Sequence, residues 1–409
     1  MLNALFCLLG LLAASQAGAQ IAVETPAAAG SAQPRLTGGR DGLPLVLSWL
    51  DPQGDGVALR FAVLRDGRFS APRTVASGND WFVNWADFPS VTPVSELLWG
   101  AHWLVKRPGG PYAYDVMIAR SSDGGETFGR GRSPHQDGTA TEHGFVSLFA
   151  LGPELAAVWL DGRKTGGGHS HDNHHTSASG PMTLRWGRSS GRDPRLSDLE
   201  LDARVCDCCP TAAAPGPAGP LVVYRNRTED EIRDIYLTRW VDGRWLPGKP
   251  VADDRWQVAG CPVNGPAIDA RQDQVAVAWF TAADDQPRVQ LARSGDGGAS
   301  FTAATTVDAE NPVGRVDVAL TPDGRTWVSW LRDDGTLVVR EADAAPDEAV
   351  VISRAGASRL SGMPQLQAVD NQLWLAWTQV VQNALSGQTS TQVKAAVFTP
   401  PAAPRSDAR

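Results

Sequence analysis

Cysteine, methionine and tyrosine are scarce in this chain of 409 residues, which holds five, four and four of them. So few cysteines cannot staple a fold of this length, which excludes the disulfide-framework class. Positive charge is short as well. Lys and Arg number 37 against 45 Asp and Glu, a net charge of −8, and a general nucleic-acid binder would usually be basic. Beyond the N-terminus no segment stays apolar for 18 residues, so no membrane-spanning helix is expected. The phosphate-cradling G-x-x-x-x-G-K-[ST], the zinc-protease H-E-x-x-H and the haem-attachment C-x-x-C-H are all missing.

What the chain does have is tryptophan and glycine, 15 and 42 residues, a balance that favours β-structure with many turns. The first residues carry one apolar run, ending in Ala17-Gly18-Ala19. Its length and small-residue end read as a secretory signal peptide over residues 1–19, although its start has no Lys or Arg. Cys7 lies inside that run, so no lipid-anchoring cysteine follows it. The mature chain is then expected to begin near Gln20 and to be periplasmic or secreted.

An internal repeat runs through the remainder. Short apolar strands carry an aromatic at Trp49, Trp103, Trp159, Tyr224, Trp279, Trp330 and Trp377, spaced by 54, 56, 65, 55, 51 and 47 residues. Another strand opens 13 to 15 residues before each, at Pro34, Pro89, Phe145, Pro210, Pro266, Val316 and Pro364. Two markers in register over seven units predict the two inner strands of propeller blades. The expected fold is all-β, a seven-bladed β-propeller of four-stranded antiparallel blades over 20–398, with six blades as the alternative. The last unit lacks an outer strand, and Ile21 to Thr25 is expected to supply it, removing the open edge. Residues 399–409 read as a disordered tail.

After third strands come Ser121-x-Asp123-x-Gly125-x-Thr127-Phe128 and Ser294-x-Asp296-x-Gly298-x-Ser300-Phe301. In such a pattern the carboxylate accepts backbone N–H groups across a tight turn, Gly supplies positive φ, and the aromatic packs beneath. The pattern resembles the Asp box, or BNR repeat, of sialidase-type propellers. That resemblance implies boxes that are structural and lie away from the active site. It also implies exo-glycosidase chemistry on acidic glycans, with an arginine triad, a Tyr–Glu nucleophile pair and an Asp acid/base. The family's R-I-P tripeptide is absent here. Substitutes implied by position are Asp161 and Arg163 after Trp159, and Tyr224, Arg225, Glu231 and Arg233 in YRNRTEDEIRDIY. Arginines grip carboxylates through paired hydrogen bonds, and paired carboxylates hydrolyse glycosides. The bland reading is a solvated loop between blades. Trp81, Trp85, Trp99 and Trp103 suggest a sugar platform, with core packing as the plainer account.

Cys206, Cys208 and Cys209 immediately precede Pro210, and Cys261 shortly precedes Pro266. All four therefore stand where neighbouring inner strands begin, at one mouth of the central channel. Glu142 and His143, Met363, Arg315 and Asp317, and Trp85 and Asp87 occupy the same level of other blades. Soft donors converging there suit Cu(I) or Zn(II), with Cys206, Cys208, Cys209, Cys261, His143 and Met363 as candidate ligands. Two disulfides in an oxidising compartment are the plainer alternative, and Cys206-x-x-Cys209 also has redox-pair spacing. His169, His171, His174 and His175 form a Gly-flanked loop suited to weak capture of metal. Three functional classes stay open: a soft-metal-binding exported propeller, a sialidase-type glycosidase, and a glycan- or protein-binding scaffold with structural disulfides.

Overall fold

The computed structural model describes residues 18–166, 180–190, 193–382 and 388–402. Seven antiparallel sheets follow one another along these residues as the blades of a propeller. Their innermost strands are Ala32–Gly38, Ser90–Pro93, His143–Leu151, Ala212–Pro215, Ala267–Arg271, Pro312–Leu320 and Gln365–Val369. These strands line a central cavity of about 830 Å³. Blade 2 departs from the four-stranded plan. It has three strands, and a single bridge from Ile118 to Arg132 stands where the outer strand would be.

The ring closes as the missing outer strand of the last unit requires. Ala19–Val23 pairs antiparallel with Thr389–Thr399, bringing Ile21 opposite Val397, and becomes the outermost strand of blade 7. The paired segment begins two residues earlier than expected from sequence. Most of the expected signal peptide, the His-rich loop and most of the tail lie outside the described residues.

The repeated aromatics lie on the second strands and hold the blades together. Trp49, Trp159, Trp279 and Trp330 are completely or almost completely buried. A buried indole N–H needs an acceptor, and for three of these four an acidic side chain supplies it, while the Trp49 N–H has no partner among the described residues. Trp159 donates to Asp161 (3.1 Å), Trp279 to Asp254 (2.5 Å) and Trp330 to Asp308 (2.5 Å). Trp81 and Trp103 stack 5.5 Å apart in the buried core that also contains Phe61 and Trp99. Three of the four tryptophans weighed as a sugar platform are therefore core residues. Trp85 sits at the channel mouth under the Arg315 guanidinium, 4.6 Å from its ring centroid.

Both Asp boxes form the expected knot. Asp296 accepts the backbone N–H and hydroxyl of Ser300 (2.9 and 2.6 Å), while Ser294 takes the Gly298 N–H (2.9 Å). Asp123 and Ser121 repeat the arrangement around Thr127 and Gly125. Gly125 and Gly298 have φ of 82° and 78°, a region that residues with a Cβ enter at a cost. Each box joins the third strand to the chain's outward course, so both lie on the face opposite the cysteines. Asp296→Ala should accordingly lower the thermal midpoint while leaving the chemistry of the other face unchanged. A calorimetric scan of the variant beside a metal titration checks both halves.

Candidate metal centre

Strand direction decides which side chains meet. Inner strands begin on the face where second strands end. The turn before the blade 4 inner strand therefore shares a face with the loops after Asp161 and Arg225. At that face the Cys206, Cys208 and Cys209 sulfurs lie within 4.8 Å of one another, and Cys206 and Cys209 are 2.7 Å apart. Cys206 and Cys209 are buried, and Cys208 is partly exposed. Cys261, from the approach to blade 5, interacts with Cys208 and keeps one side open to solvent. Cys261 thus approaches the three-sulfur turn, and no pair among these four thiols forms a disulfide.

The turn is fixed by charge. Asp207, inside it, accepts both hydrogen bonds from the Arg227 Nη1 (3.1 and 2.9 Å), and the same guanidinium grips Glu231. Arg233 donates to Glu231 (2.8 Å) and brings Nη1 to 3.4 Å from the Cys206 sulfur. Burial alone would raise the Cys206 pKa. Hydrogen bonds from the neighbouring thiols and the Arg233 charge outweigh it and hold Cys206 well below the ordinary thiol range. Burial and the Cys206 charge push Cys208 and Cys209 the other way.

Beside the thiols lies a buried acid pair that the sequence only hinted at. The Tyr114 hydroxyl lies 2.8 Å from one oxygen of Asp87 and one of Glu142, so its single proton serves one acid while the other acid, when protonated, donates to the phenol oxygen. Asp87 in turn accepts the Phe145 N–H at 2.7 Å. Phe145 has φ of 53° at a bulge in the strand. Gly144 permits this approach, since a Cβ there would stand 1.9 Å from the Asp87 carboxylate. Burial raises Asp87 to about 7 and, with the charges of Asp87, Asp207 and Cys206, raises Glu142 to about 8. Their unperturbed values are 3.8 and 4.5. The folded chain therefore holds protons that the unfolded chain has released between about pH 4 and 8. Stability contributed by these groups is fully present below that window and is lost as pH rises through it. Each proton changes stability by about 1.4 kcal/mol per pH unit where it is bound only in the folded state. Glu142→Gln should flatten the decline between about pH 5 and about pH 8 in urea titrations. An unchanged slope would refute the assignment.

The sequence candidates separate into groups. His143 is fully buried, yet it faces away from the sulfurs and towards Asp137 (3.2 Å) and Asp161 (3.7 Å). Burial works against its charged form, but the closeness of the Asp137 carboxylate and the charges of Asp161 and Asp137 raise its pKa overall. Glu142, one residue earlier, turns its carboxyl to Tyr114 rather than to Asp137 and feels the charge of Cys206. Met363 packs with Ala86 and Phe145 in an apolar cluster that Cys208 only borders. The three-sulfur group does not include His143.

The residues nominated for glycoside chemistry are tied to one another. Arg163 donates to Asp161 through Nε and Nη2, both at 2.7 Å. Arg225 gives its donors to the carbonyls of Asn264, Arg233 and Phe280 and lies over the Trp256 ring. Tyr224 donates to Asp202 at 2.6 Å. Glu231 is shared between Arg227 and Arg233. No open arginine clamp emerges from this set. His135, Asp137 and Asp115 escaped the sequence reading, although His135 and Asp137 lie two residues apart just after the first Asp box.

No protein-family model and no curated protein matches the sequence. Solved structures share its general course. A mutant of the NanB sialidase from Streptococcus pneumoniae is similar over 88% of this chain and 83% of its own, at 8% identity and a TM-score of 0.46. Leech intramolecular trans-sialidase is similar over 87% and 83%, at 10% identity and 0.45. Trypanosoma rangeli sialidase is similar over 81% and 55%, at 13% identity and 0.47.

Proposed function

We propose that this chain is an exported propeller that binds a soft metal ion, Cu(I) in preference to Zn(II), through Cys206, Cys208, Cys209 and Cys261. The observation that carries the reading is the meeting of the three-sulfur turn with Cys261 from the next blade. Thiolates are the donors that select Cu(I) and Zn(II) over harder cations. Cys206 supplies the first thiolate, and Arg233 offsets part of the negative charge that accumulates as further protons leave. Asp207 and its arginines hold the turn in place before metal arrives, which lowers the ordering cost of binding. Cys261 keeps its exposure, giving the ion a way in. In an oxidising compartment bound metal would also protect the four sulfurs from cross-linking.

X-ray absorption on protein loaded anaerobically with one equivalent of Cu(I) tests this reading. A first shell of sulfur alone is expected. A shell of nitrogen or oxygen, or copper lost on desalting, would refute it.

A further inference from the structure

A second cluster of donors lies next to the thiols and is not used by them. Asp115, Asp137, Asp161 and Asp198 converge where blade 2 meets blade 3. Three guanidinium groups answer them. Arg107 lies 3.3 Å from Asp115, Arg163 lies 2.7 and 2.8 Å from Asp161 and Asp198, and Arg185 bonds Asp198. Lys164 and Glu200 pair with each other nearby (2.7 Å). Four carboxylates against three guanidinium groups leave one negative charge, which either a proton on His143 or a bound cation balances. Asp137 is the carboxylate with the weakest cationic partner, Arg163 at 3.5 Å.

Two buried imidazoles face that surplus. His143 Nδ1 stands 3.1 and 3.2 Å from the carbonyls of Tyr114 and Thr141, and only a protonated nitrogen satisfies such neighbours. In the neutral ring Nε2 therefore carries the lone pair. It points at Asp137 Oδ2 (3.2 Å) and Asp161 Oδ1 (3.7 Å). Neither His143 Nε2 nor Asp137 Oδ2 makes an aligned hydrogen bond, though both atoms are buried. The other oxygen of Asp137 is already occupied by the Thr139 N–H (2.9 Å) and hydroxyl. The His135 ring stacks on His143 at 3.7 Å, and its Nδ1 lies 3.3 Å from the same Asp137 Oδ2. The Val116 N–H reaches its Nε2 (3.4 Å), which leaves the His135 proton on Nδ1, towards Asp137.

We infer that His143 Nε2, Asp137 and Asp161 form a second binding site, for a divalent first-row cation held by nitrogen and oxygen. His135 is a positioning residue that orients Asp137. An imidazole held by backbone carbonyls and a carboxylate held by an imidazole are the outer supports that metal ligands commonly have. One nitrogen with two carboxylates suits Zn(II) or Mn(II) and lacks the sulfur that Cu(I) selects. Glu142 and His143 are consecutive, yet Glu142 meets Tyr114 while His143 meets Asp137. The second site does not depend on the thiol reading.

The test uses the metal-free mature protein and a Cys206→Ser/Cys209→Ser variant, titrated with Co(II) and then Zn(II). The cysteine variant should keep one equivalent of Co(II) whose spectrum has no thiolate charge-transfer band. Adding His143→Gln should weaken that binding on the order of a hundredfold or more. Failure of the cysteine variant to bind, or binding indifferent to His143→Gln, would overturn the inference. If His143→Gln does not fold, X-ray absorption of the zinc-loaded cysteine variant decides: an imidazole-containing first shell supports the site, and a water-only shell overturns it. Absence of sulfur-bound metal in the unmodified protein would defeat the thiol reading alone and leave the cobalt result standing.

Discussion

Cys206→Ser combined with Cys209→Ser should abolish tight Cu(I) binding while leaving the propeller folded. Competition against a coloured Cu(I) chelator reads the loss directly. Disturbing only an outer partner of a metal typically weakens binding ten- to a hundredfold. Removing two buried donors should therefore cost about a thousandfold or more. The two serines leave the blade cores untouched, because the thiols sit in the turn before the strand rather than among the packed indoles. Bound copper should also stabilise the unmodified chain. Free metal a thousandfold above its dissociation constant adds about 4 kcal/mol, and the double variant should show no such increment. Undiminished copper affinity in the variant would refute the assignment of the sulfurs.

The second large effect concerns the ring itself. Trp279→Ala should destabilise the protein by about 3–5 kcal/mol, the usual range for deleting a buried indole. Trp279 has no exposed surface and packs with Val223, Leu237 and Ile268, so it bridges blades 4 and 5. Its loss leaves a cavity between blades and orphans the Asp254 carboxylate that its N–H satisfied. Blades 4 and 5 carry the four thiols, so copper affinity should fall together with stability. Urea titration with copper competition on the same samples measures both. A change below about 1 kcal/mol would contradict the role given to the repeated aromatic.

These two expectations rest on features of unequal legibility. The repeated aromatic could be read from sequence because every blade needs one bulky residue at the same depth, and the spacing records that need. Closure by the N-terminal segment could be read because a sheet with an open edge must be completed from somewhere. The convergence of Cys261 on Cys208 followed from register alone, since both precede an inner strand. Blade 2 was harder. The chain around Arg132 bridges Ile118 at one point only, and no residue pattern announces so short an edge.

Side-chain direction was the main limit. Glu142 and His143 occupy one level of the fold, yet one meets Tyr114 and the other faces Asp137. The sequence reading treated His143 as a partner of the thiols because level was legible and direction was not. His135 and Asp137 come from the end of blade 2 and meet His143 only across the junction between blades. Arg225 shows the same limit from the other side. A run dense in arginine suggests a grip on anions, but this guanidinium spends its donors on three backbone carbonyls. Nothing in composition separates such a structural arginine from a ligand-binding one.

One measurement addresses the gathering of the sulfurs most directly: metal content and free-thiol count on a single sample of the protein. The account predicts one equivalent of copper or zinc held by sulfur, and four thiols that react only after the metal is removed. Two disulfides with no sulfur-bound metal would contradict it.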